Sequence, residues 1–467
     1  MIPLKIAALS LIPDAGHVGP LLRMAEALSA RGHEVMCMLP DECSTLASTY
    51  DVAHTPIGRA LSPAAVKAQS SFGGGSIFTA SLDVYYRDYY CAIFASLADK
   101  VATVLKTLRS KRPDLILVDD HQFQEISAGI GAELGVPVVF HDSLGGLHSR
   151  ANSLCVNLYG KSISKWRQPG VLAVALIYHL YCQMARSYRF RLDGLSRAAE
   201  RARGDLGALL TKLPPSADAA HAPGGAGVVS AESRRMKYHF ATGLGVLEKR
   251  VRNLAAFPDR RVFGPIWSRP TVPLPSDLEA WLERQPSKSV VFVAFGSMVS
   301  LSVRQVRRLS SALDALRAPV LWASKGGPGA FSAGSVPKSV RIEAFVPQRA
   351  VLCHPAIGAC VTHGGSGTVL ECMVASVPMV VMPVMWDQPY NAQLVQELQV
   401  GVRIDWWRMT DRVLTEALRS ALQSLEYRQR MASIVHELRA QRGSEEVFRF
   451  LEDIANSRDA ESWIPWS

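Results

Sequence analysis

Residues 358–382, GACVTHGGSGTVLECMVASVPMVVM, decide the fold of this chain. An apolar run ends at Thr362, a glycine-rich loop covers 363–367, a helix-like segment follows from Thr368, and a second apolar run covers 377–382. Strand, loop, helix and strand in that order form a parallel βαβ unit. Backbone amides in such a loop can approach a phosphate closely, and the helix dipole adds its positive end. The stretch therefore predicts a phosphate site, the alternative being a plain turn in which Thr368 caps the helix.

The same order of elements recurs on both sides of this stretch. A dense group of five prolines in 257–275 separates the two halves and predicts an extended linker. We therefore predict an α/β protein of two Rossmann-like, doubly wound domains that face each other across a cleft. The expected boundaries are an N-terminal domain 1–256, a linker 257–285, a C-terminal domain 286–445, and a terminal helix and tail 446–467 that packs back on the N-terminal domain.

The composition indicates an ordinary folded protein. Of 467 residues, 48% are hydrophobic and 20% are charged, which excludes a disordered chain, a collagen and a coiled-coil rod. The net charge of +10 permits anionic partners such as nucleotides without requiring nucleic acid. The eight cysteines form no CxxC pair for zinc or redox chemistry, so we expect reduced thiols in a cytoplasmic protein.

The sequence predicts no transmembrane helix. Its longest internal apolar stretch, 171–184, is about 14 residues and falls short of the 18 or more that span a bilayer. Arginines crowd the following residues up to 203. The segment 171–203 could therefore rest on an anionic membrane, or it could be a core helix followed by a solvated one.

The neighbours of the glycine loop carry a family resemblance. Phe345-Val346-Pro347-Gln348 stands upstream, His354-Pro355 and Glu371 lie between, and PVMWDQPYN occupies 383–391. Residues 345–391 resemble the signature of the family 1, UDP-sugar-dependent glycosyltransferases, and the opening Pro-x-x-Gly-His-x-x-Pro of 13–20 is similar to that family's first motif. The resemblance implies the GT-B architecture, with acceptor binding in the N-terminal domain and UDP-sugar binding in the C-terminal domain.

The resemblance also indicates where in the family the chain stands. Plant members usually carry Trp at the position of Phe345, and Trp-Asn where this chain has Ser366-Gly367. These departures make the chain similar to bacterial, fungal and sterol-type members rather than to plant ones.

Carried over residue by residue, the resemblance implies a site for the base and the ribose. Phe345 would stack on uracil, and the backbone at Val346 would read the base edge. Gln348 and Glu371 would hold the ribose.

The diphosphate and the sugar are implied to lie next to that site. His363 would contact the diphosphate, and Asp387 with Gln388 would bind hydroxyls of the transferred sugar, which favours glucose. Five further residues would lie near the diphosphate: Ser297, Gly365, Ser366, Gly367 and Thr368.

His17 is the candidate catalytic base. An imidazole with an ordinary pKa of about 6.5 can take a proton from an attacking alcohol. It needs a carboxylate to orient it, and Asp119, at the end of a predicted strand, is the expected partner, with Asp120 as the alternative. Other polar residues after strand ends on that side are candidates for lining the acceptor pocket: His121, His141 and Asp142.

These roles predict an inverting hexosyltransferase that moves glucose from UDP-glucose to a hydroxyl of a lipophilic small molecule, such as a sterol, carotenoid, polyketide, phenolic or lipid. We expect a cytoplasmic monomer with no cofactor, no metal, no nucleic-acid partner and the UDP-sugar as co-substrate. The sequence lacks an Asp-x-Asp metal motif. The alternatives are an epimerase-like enzyme of the same architecture and a non-catalytic nucleotide-sugar-binding protein. A dinucleotide oxidoreductase is disfavoured, because no G-x-G-x-x-G follows the first strand.

Overall fold

The computed structural model describes most of the chain in separate ranges. The described residues are 3–61, 93, 95–119, 124–142, 239–242, 247, 261–266, 272–296, 299, 301–324, 327, 331, 336–337, 339–384, 387–406, 409–440 and 443–457.

The N-terminal domain is built on a parallel sheet. Seven strands of the described part form it in the order β3-β2-β1-β4-β5-β6-β7. Their pairing places Leu9, at the end of β1, beside Val118 near the end of β4. The elements are β1 Lys5–Leu9, α1 Ala15–Ser29, β2 Glu34–Leu39, α2 Ser44–Ala47, β3 Ala53–Pro56, α3 Leu97–Lys111, β4 Leu115–Asp119, α4 Gln124–Leu134, β5 Val138–Asp142, β6 His239–Ala241 and β7 Arg261–Val262.

The C-terminal domain repeats the design with a second parallel sheet. Its six described strands lie in the order β10-β9-β8-β11-β12-β13. The elements are α5 Ser276–Glu283, β8 Val290–Ala294, α6 Val303–Leu316, β9 Val320–Ala323, β10 Val340–Glu343, α7 Gln348–Cys353, β11 Ile357–Thr362, α8 Ser366–Ala375, β12 Met379–Val381, α9 Gln388–Glu397, β13 Gly401–Arg403, α10 Asp411–Gln423, α11 Leu425–Ala440 and α12 Gly443–Asn456.

The central strands of both sheets are buried on both faces, which explains why they are apolar without alternation. In β4, Ile116 packs into one core cluster while Leu115 and Leu117 pack into the cluster on the opposite face. In β8, Phe292 and Val293 divide in the same way between two clusters. The expectation of an α/β protein with doubly wound sheets is therefore confirmed.

The proline-rich segment 257–285 contains more regular structure than an extended linker. Strand β7 pairs with β6 and so belongs to the N-terminal sheet. Helix α5 buries Leu278 and Leu282 in the core of the C-terminal domain. Proline does not oppose this, because Pro275 stands just before the first helical residue, where a backbone N–H has no helical partner.

Helix α12, the last of the described helices, packs on the N-terminal domain. Its residues Val447 and Leu451 are fully buried in the cluster that contains Leu21 and Leu22 of α1. The contact is also polar, since Arg31 at the end of α1 donates to a carboxylate oxygen of Glu445 at 2.7 Å. Helix α12 therefore fastens the end of the chain to the first domain.

Two helices begin earlier than the sequence suggests. Residues 13–20 read as a loop, but Asp14 caps α1 by accepting from the amide of Gly16 at 2.9 Å, and the helix accommodates Pro20 at the loss of one backbone hydrogen bond. Helix α8 begins at Ser366, with Gly365 at its N-cap, so Thr368 lies inside the helix and does not cap it.

Within the ranges given above, none of the helices is long and apolar enough to cross a membrane. The segment 171–203, a candidate for membrane contact, lies outside the described residues.

Candidate functional site

The proposed base and its acid meet at the ends of two adjacent strands. His17 is in the first turn of α1, just after β1, and Asp119 is the last residue of β4. Nδ1 of His17 lies 2.9 Å from Oδ1 of Asp119, and the side chains are 19% and 1% exposed. A buried carboxylate at Nδ1 favours the tautomer with its proton there, which makes Nε2 the basic atom.

The segment between β1 and α1, which leads to His17, is tied to the domain core by a lysine that sequence reasoning missed. Nζ of Lys100, on α3, donates to the carbonyl oxygen of Leu11 at 2.9 Å, and the whole side chain is buried. Burial lowers the pKa of Lys100 to about 8, and the nearby carboxylate of Glu42 opposes that shift. In the sequence, Lys100 is one charged residue of an amphipathic helix and carries no signal of this role.

The glycine loop between β11 and α8 has a backbone that requires glycine. Gly364 has a φ of +86°, and a Cβ atom there would lie 2.5 Å from Cγ1 of Val381. A Cβ atom on Gly365 would lie 2.8 Å from Nε2 of His363. The first turn of α8 contains no acidic residue, so its amides and dipole are not neutralised by their own helix. The arrangement is suited to bind an anion.

His363 is packed into this loop as a neutral ring. Glycine is needed on both sides, since a Cβ atom on Gly296 would also come within 2.8 Å of the imidazole. Burial lowers the pKa of His363 to about 4, against the opposing effect of a hydrogen bond to the backbone of Ala294. Its Nδ1 lies 3.3 Å from Oγ1 of Thr362. At neutral pH the ring therefore shapes the loop and offers hydrogen bonding, without bringing a positive charge.

The two residues assigned to the ribose are in contact. Nε2 of Gln348, the first residue of α7, donates to Oε2 of Glu371 at 2.7 Å and to Oγ1 of Thr368 at 3.2 Å. The other carboxylate oxygen of Glu371 accepts from Nη1 of Arg23, a residue of α1 in the N-terminal domain, at 2.8 Å. Sequence reasoning missed Arg23 because its partner is 348 residues away.

The two residues assigned to uracil differ in exposure as their roles require. Phe345 is 46% exposed, and it is among the few large hydrophobic side chains so open to solvent in the described part. The side chain of Val346 is 5% exposed and packs into the core of the C-terminal domain. Phe345 thus offers a ring face, while Val346 can offer only its backbone.

The residues assigned to the sugar lie at the start of α9. Oδ2 of Asp387 accepts from Nδ2 of Asn391 at 2.7 Å, and Asn391 also donates to the carbonyl of Gly364. Burial raises the pKa of Asp387, while the Asn391 hydrogen bond and the charge of His17 lower it. The influence of His17 places Asp387 near the proposed base. Gln388 is buried, and its Oε1 accepts from the amide of Val384 at 3.0 Å.

The acceptor side is only partly described. His141 is 1% exposed, and its Nε2 lies 2.6 Å from Oγ1 of Thr242, so its ring joins β5 to β6 instead of lining an open surface. The backbone of Asp142 ends β5. Three residues named from the sequence lie outside the described residues: Asp120, His121 and Ser297.

Comparison with known proteins shows which family the C-terminal part of the chain resembles. The sequence model of the family described as "UDP-glucoronosyl and UDP-glucosyl transferase" matches residues 255–441. UDP-glucuronosyltransferase 3A2 of Mus musculus is 35% identical over 150 residues, which are 32% of this chain and 28% of that protein. UDP-glycosyltransferase 74C1 of Arabidopsis thaliana is 37% identical over 131 residues, 27% of this chain and 29% of that protein. The alignments thus span less than a third of these relatives.

The solved structures extend the likeness to the whole fold. Os79 from O. sativa, solved in complex with UDP, superposes with a TM-score of 0.64 at 18% identity and covers 97% of this chain and 99% of that one. The glycotransferase of kitacinnamycin superposes with a TM-score of 0.60 at 19% identity, covering 97% and 100%. At such identities the likeness shows the fold, which is the GT-B architecture. Residues 255–441 of this chain are thus similar to the UDP-glucuronosyl and UDP-glucosyl transferases.

Proposed function

We propose that this chain is an inverting UDP-glycosyltransferase that moves a hexose, glucose in the first instance, from a UDP-sugar to a hydroxyl group of a lipophilic small molecule. The observation that carries the proposal is the joint presence of two half-sites. In one domain, Nδ1 of His17, the proposed base, lies 2.9 Å from Oδ1 of Asp119, its carboxylate partner. Gln348 and Glu371 form a polar pair at 2.7 Å beside the glycine loop of the other. The UDP bound to the rice neighbour supports a nucleotide at the second half-site.

The donor would lie along the edge of the C-terminal sheet. Uracil would stack on the exposed ring of Phe345, and the ribose hydroxyls would bind the carboxylate of Glu371. The diphosphate would meet the amides at the start of α8, with its charge opposed by the helix dipole. Asp387 would hold hydroxyls of the sugar, close to His17.

The reaction would be a single displacement. Nε2 of His17 takes the proton of the acceptor hydroxyl, and the oxygen attacks the anomeric carbon from the face opposite UDP. The bond between that carbon and the phosphate oxygen breaks, UDP leaves with the electron pair, and the configuration is inverted. Asp119 stabilises the imidazolium as it forms, and the helix N-terminus stabilises the departing diphosphate. This route calls for no metal ion.

A thermal-shift and turnover experiment tests the proposal. UDP should raise the midpoint of thermal unfolding, because a ligand that binds only the folded state stabilises it. A screen of sterol, polyketide, phenolic and lipid acceptors with UDP-glucose should yield UDP and a product heavier by one hexose. Equal stabilisation by NAD and UDP would contradict the donor assignment. Conversion of the UDP-sugar into an isomer without an acceptor would favour the epimerase, and binding without turnover would favour the non-catalytic alternative.

The finer assignments remain part of this proposal: a monomeric cytoplasmic protein, lipophilic acceptors, and closeness to bacterial, fungal and sterol-type members. The acceptor screen would test the class of acceptor, and a measurement of molecular mass in solution would test the monomeric state.

A further inference from the structure

Helix α1 makes two buried ion pairs with the C-terminal domain. Arg23 binds Glu371 at 2.8 Å, with side chains 9% and 13% exposed. One turn later, Glu26 binds Arg349 at 2.9 Å, with side chains 6% and 9% exposed. Arg349 also lies over the ring of Tyr50, 4.6 Å from its centroid. Both pairs join the domains, but only the first includes a residue assigned to the donor.

The carboxylate of Glu371 is held from two sides and keeps binding capacity. Arg23 donates to Oε1 and Gln348 donates to Oε2. A carboxylate has about four acceptor positions, so these two hydrogen bonds leave room for two more. The two hydroxyls of a ribose need two acceptors at that spacing. Hydrogen bonds from an arginine and an amide fix the carboxylate plane and thus the direction of its remaining lone pairs.

We propose that Arg23 is a positioning residue of the donor site, supplied by the N-terminal domain, that orients Glu371 toward the ribose hydroxyls. The inference rests on the proposed function, since it requires that Glu371 bind the ribose. It assigns ribose recognition to three side chains from two domains: Arg23, Gln348 and Glu371.

The same contact links the donor to the proposed base. His17 and Arg23 both belong to α1, six positions apart, which is about 9 Å along the helix axis. A rigid helix with one end at the base and its middle on Glu371 fixes the distance from the base to the ribose. Arg23 would thus fix the position of the N-terminal domain relative to the bound donor.

A second use of Arg23 is the competing possibility. Nη2 of Arg23 lies 3.6 Å from the position that a Cβ atom on Gly367 would occupy, in the first turn of α8. The guanidinium could therefore bind the diphosphate directly. If Arg23 acts through Glu371, its effect on binding depends on the ribose hydroxyls; if it binds the phosphate, its effect does not. A pair of nucleotides that differ in one ribose hydroxyl therefore distinguishes the two roles.

The experiment measures the affinities of UDP and 2′-deoxy-UDP by calorimetry on the full chain and on Arg23→Met. The wild type should prefer UDP. In Arg23→Met the affinity for UDP should fall about 10-fold and that for 2′-deoxy-UDP should fall less, because UDP loses the contacts of both hydroxyls with the oriented carboxylate and 2′-deoxy-UDP loses only that of its 3′-hydroxyl. Glu371→Gln should show the same loss of preference, and the double variant should lose little more.

Glu26→Gln is the matched control. It weakens the other buried pair between the domains, on the same helix, and should leave the preference for UDP unchanged. If Arg23→Met unfolds at a much lower temperature than Glu26→Gln, Arg23→Gln gives a second measurement of the same preference.

Three results would overturn the inference: an unchanged preference in both Arg23 variants, an equal loss of affinity for both nucleotides, or a wild type that binds the two equally. A wild type that binds neither nucleotide would instead refute the proposed function on which the inference rests.

Discussion

Replacing Asp119 with Asn tests the proton-transfer step most directly. The change keeps the size of the side chain and its position at the end of β4, but it removes the charge 2.9 Å from Nδ1 of His17. A base that accepts a proton must enter the reaction neutral, and the carboxylate charge matters little to a neutral ring. In the transition state the ring becomes an imidazolium, and the carboxylate then stabilises it.

The distance sets the size of the effect. Two unit charges about 3 Å apart attract by about 5–6 kcal/mol at an effective dielectric constant of about 20. At 1.36 kcal/mol per factor of ten, this corresponds to a loss in turnover of at most about 10⁴-fold. The amide oxygen of Asn can still accept from Nδ1–H and retain about 1 kcal/mol. We therefore expect Asp119→Asn to lower turnover by about 10²–10⁴-fold, and His17→Ala by a similar factor.

The assay is the rate of UDP release with UDP-glucose and the best acceptor of the screen, together with the affinity for UDP. UDP binding should stay nearly intact in both variants, because neither His17 nor Asp119 is among the residues assigned to UDP. Asp114→Asn is the matched control: Asp114 is exposed just before the same strand, where its carboxylate accepts from the amide of Lys5. It should leave turnover unchanged.

The double variant of His17 and Asp119 should be little worse than either single one, because both disable one proton-transfer unit. Turnover should also fall in acid, as His17 gains a proton and can no longer accept one. Near-normal turnover in His17→Ala would place the base elsewhere, with His121 as the next candidate.

Three more predictions concern the donor site. Phe345→Ala should weaken UDP binding by about 1–3 kcal/mol, or roughly 5- to 150-fold, through lost stacking; the unfolding midpoint should hardly change because the ring is 46% exposed, and calorimetry with unchanged affinity would refute the stacking role. Burial lowers the pKa of His363 to about 4, so between about pH 4 and 6.5 the unfolded chain binds more protons than the folded one, and the free energy of unfolding should fall as the pH falls through that window. Denaturant titrations at several pH values should show a smaller fall of this free energy in His363→Asn. An equal fall in the two proteins would contradict the neutral ring. Turnover should survive EDTA, whereas complete loss restored by manganese or magnesium would refute the metal-free route.

Local patterns were sufficient to predict most of the architecture. The apolar strands of both domains are continuous because each is buried on two faces, and this gave them a signal that short windows can detect. The glycine loop was equally readable, since the positive φ of Gly364 and the tight packing around Gly365 leave few other residues possible. Helix starts were harder, because the cap formed by Asp14 outweighs the signals of Gly16 and Pro20 in the same stretch.

The contacts between the domains could not be predicted, because no local pattern encodes them. Arg23, Glu26 and Arg349 read as surface charges of amphipathic helices, yet the fold buries all three. His141 is a second case: its place at a strand end predicted an acceptor-pocket residue, and the structure adds that β6 pairs beside it and that its Nε2 lies 2.6 Å from Oγ1 of Thr242. In both cases the deciding partner lies far away in sequence.

The burial of those charges bears on how the two half-sites cooperate. A buried ion pair contributes little net stability, since desolvation offsets most of the attraction, but leaving one member unpaired is costly. Such pairs therefore favour one relative placement of the domains over others without making the whole much more stable. In this chain the charge of His17 acts across the two domains to lower the pKa of Asp387, against the larger effect of burial. The proposed reaction needs a base from one domain and a leaving group from the other within bonding distance, and on this proposal the ion pairs of α1 would hold the two domains in the arrangement that the reaction requires.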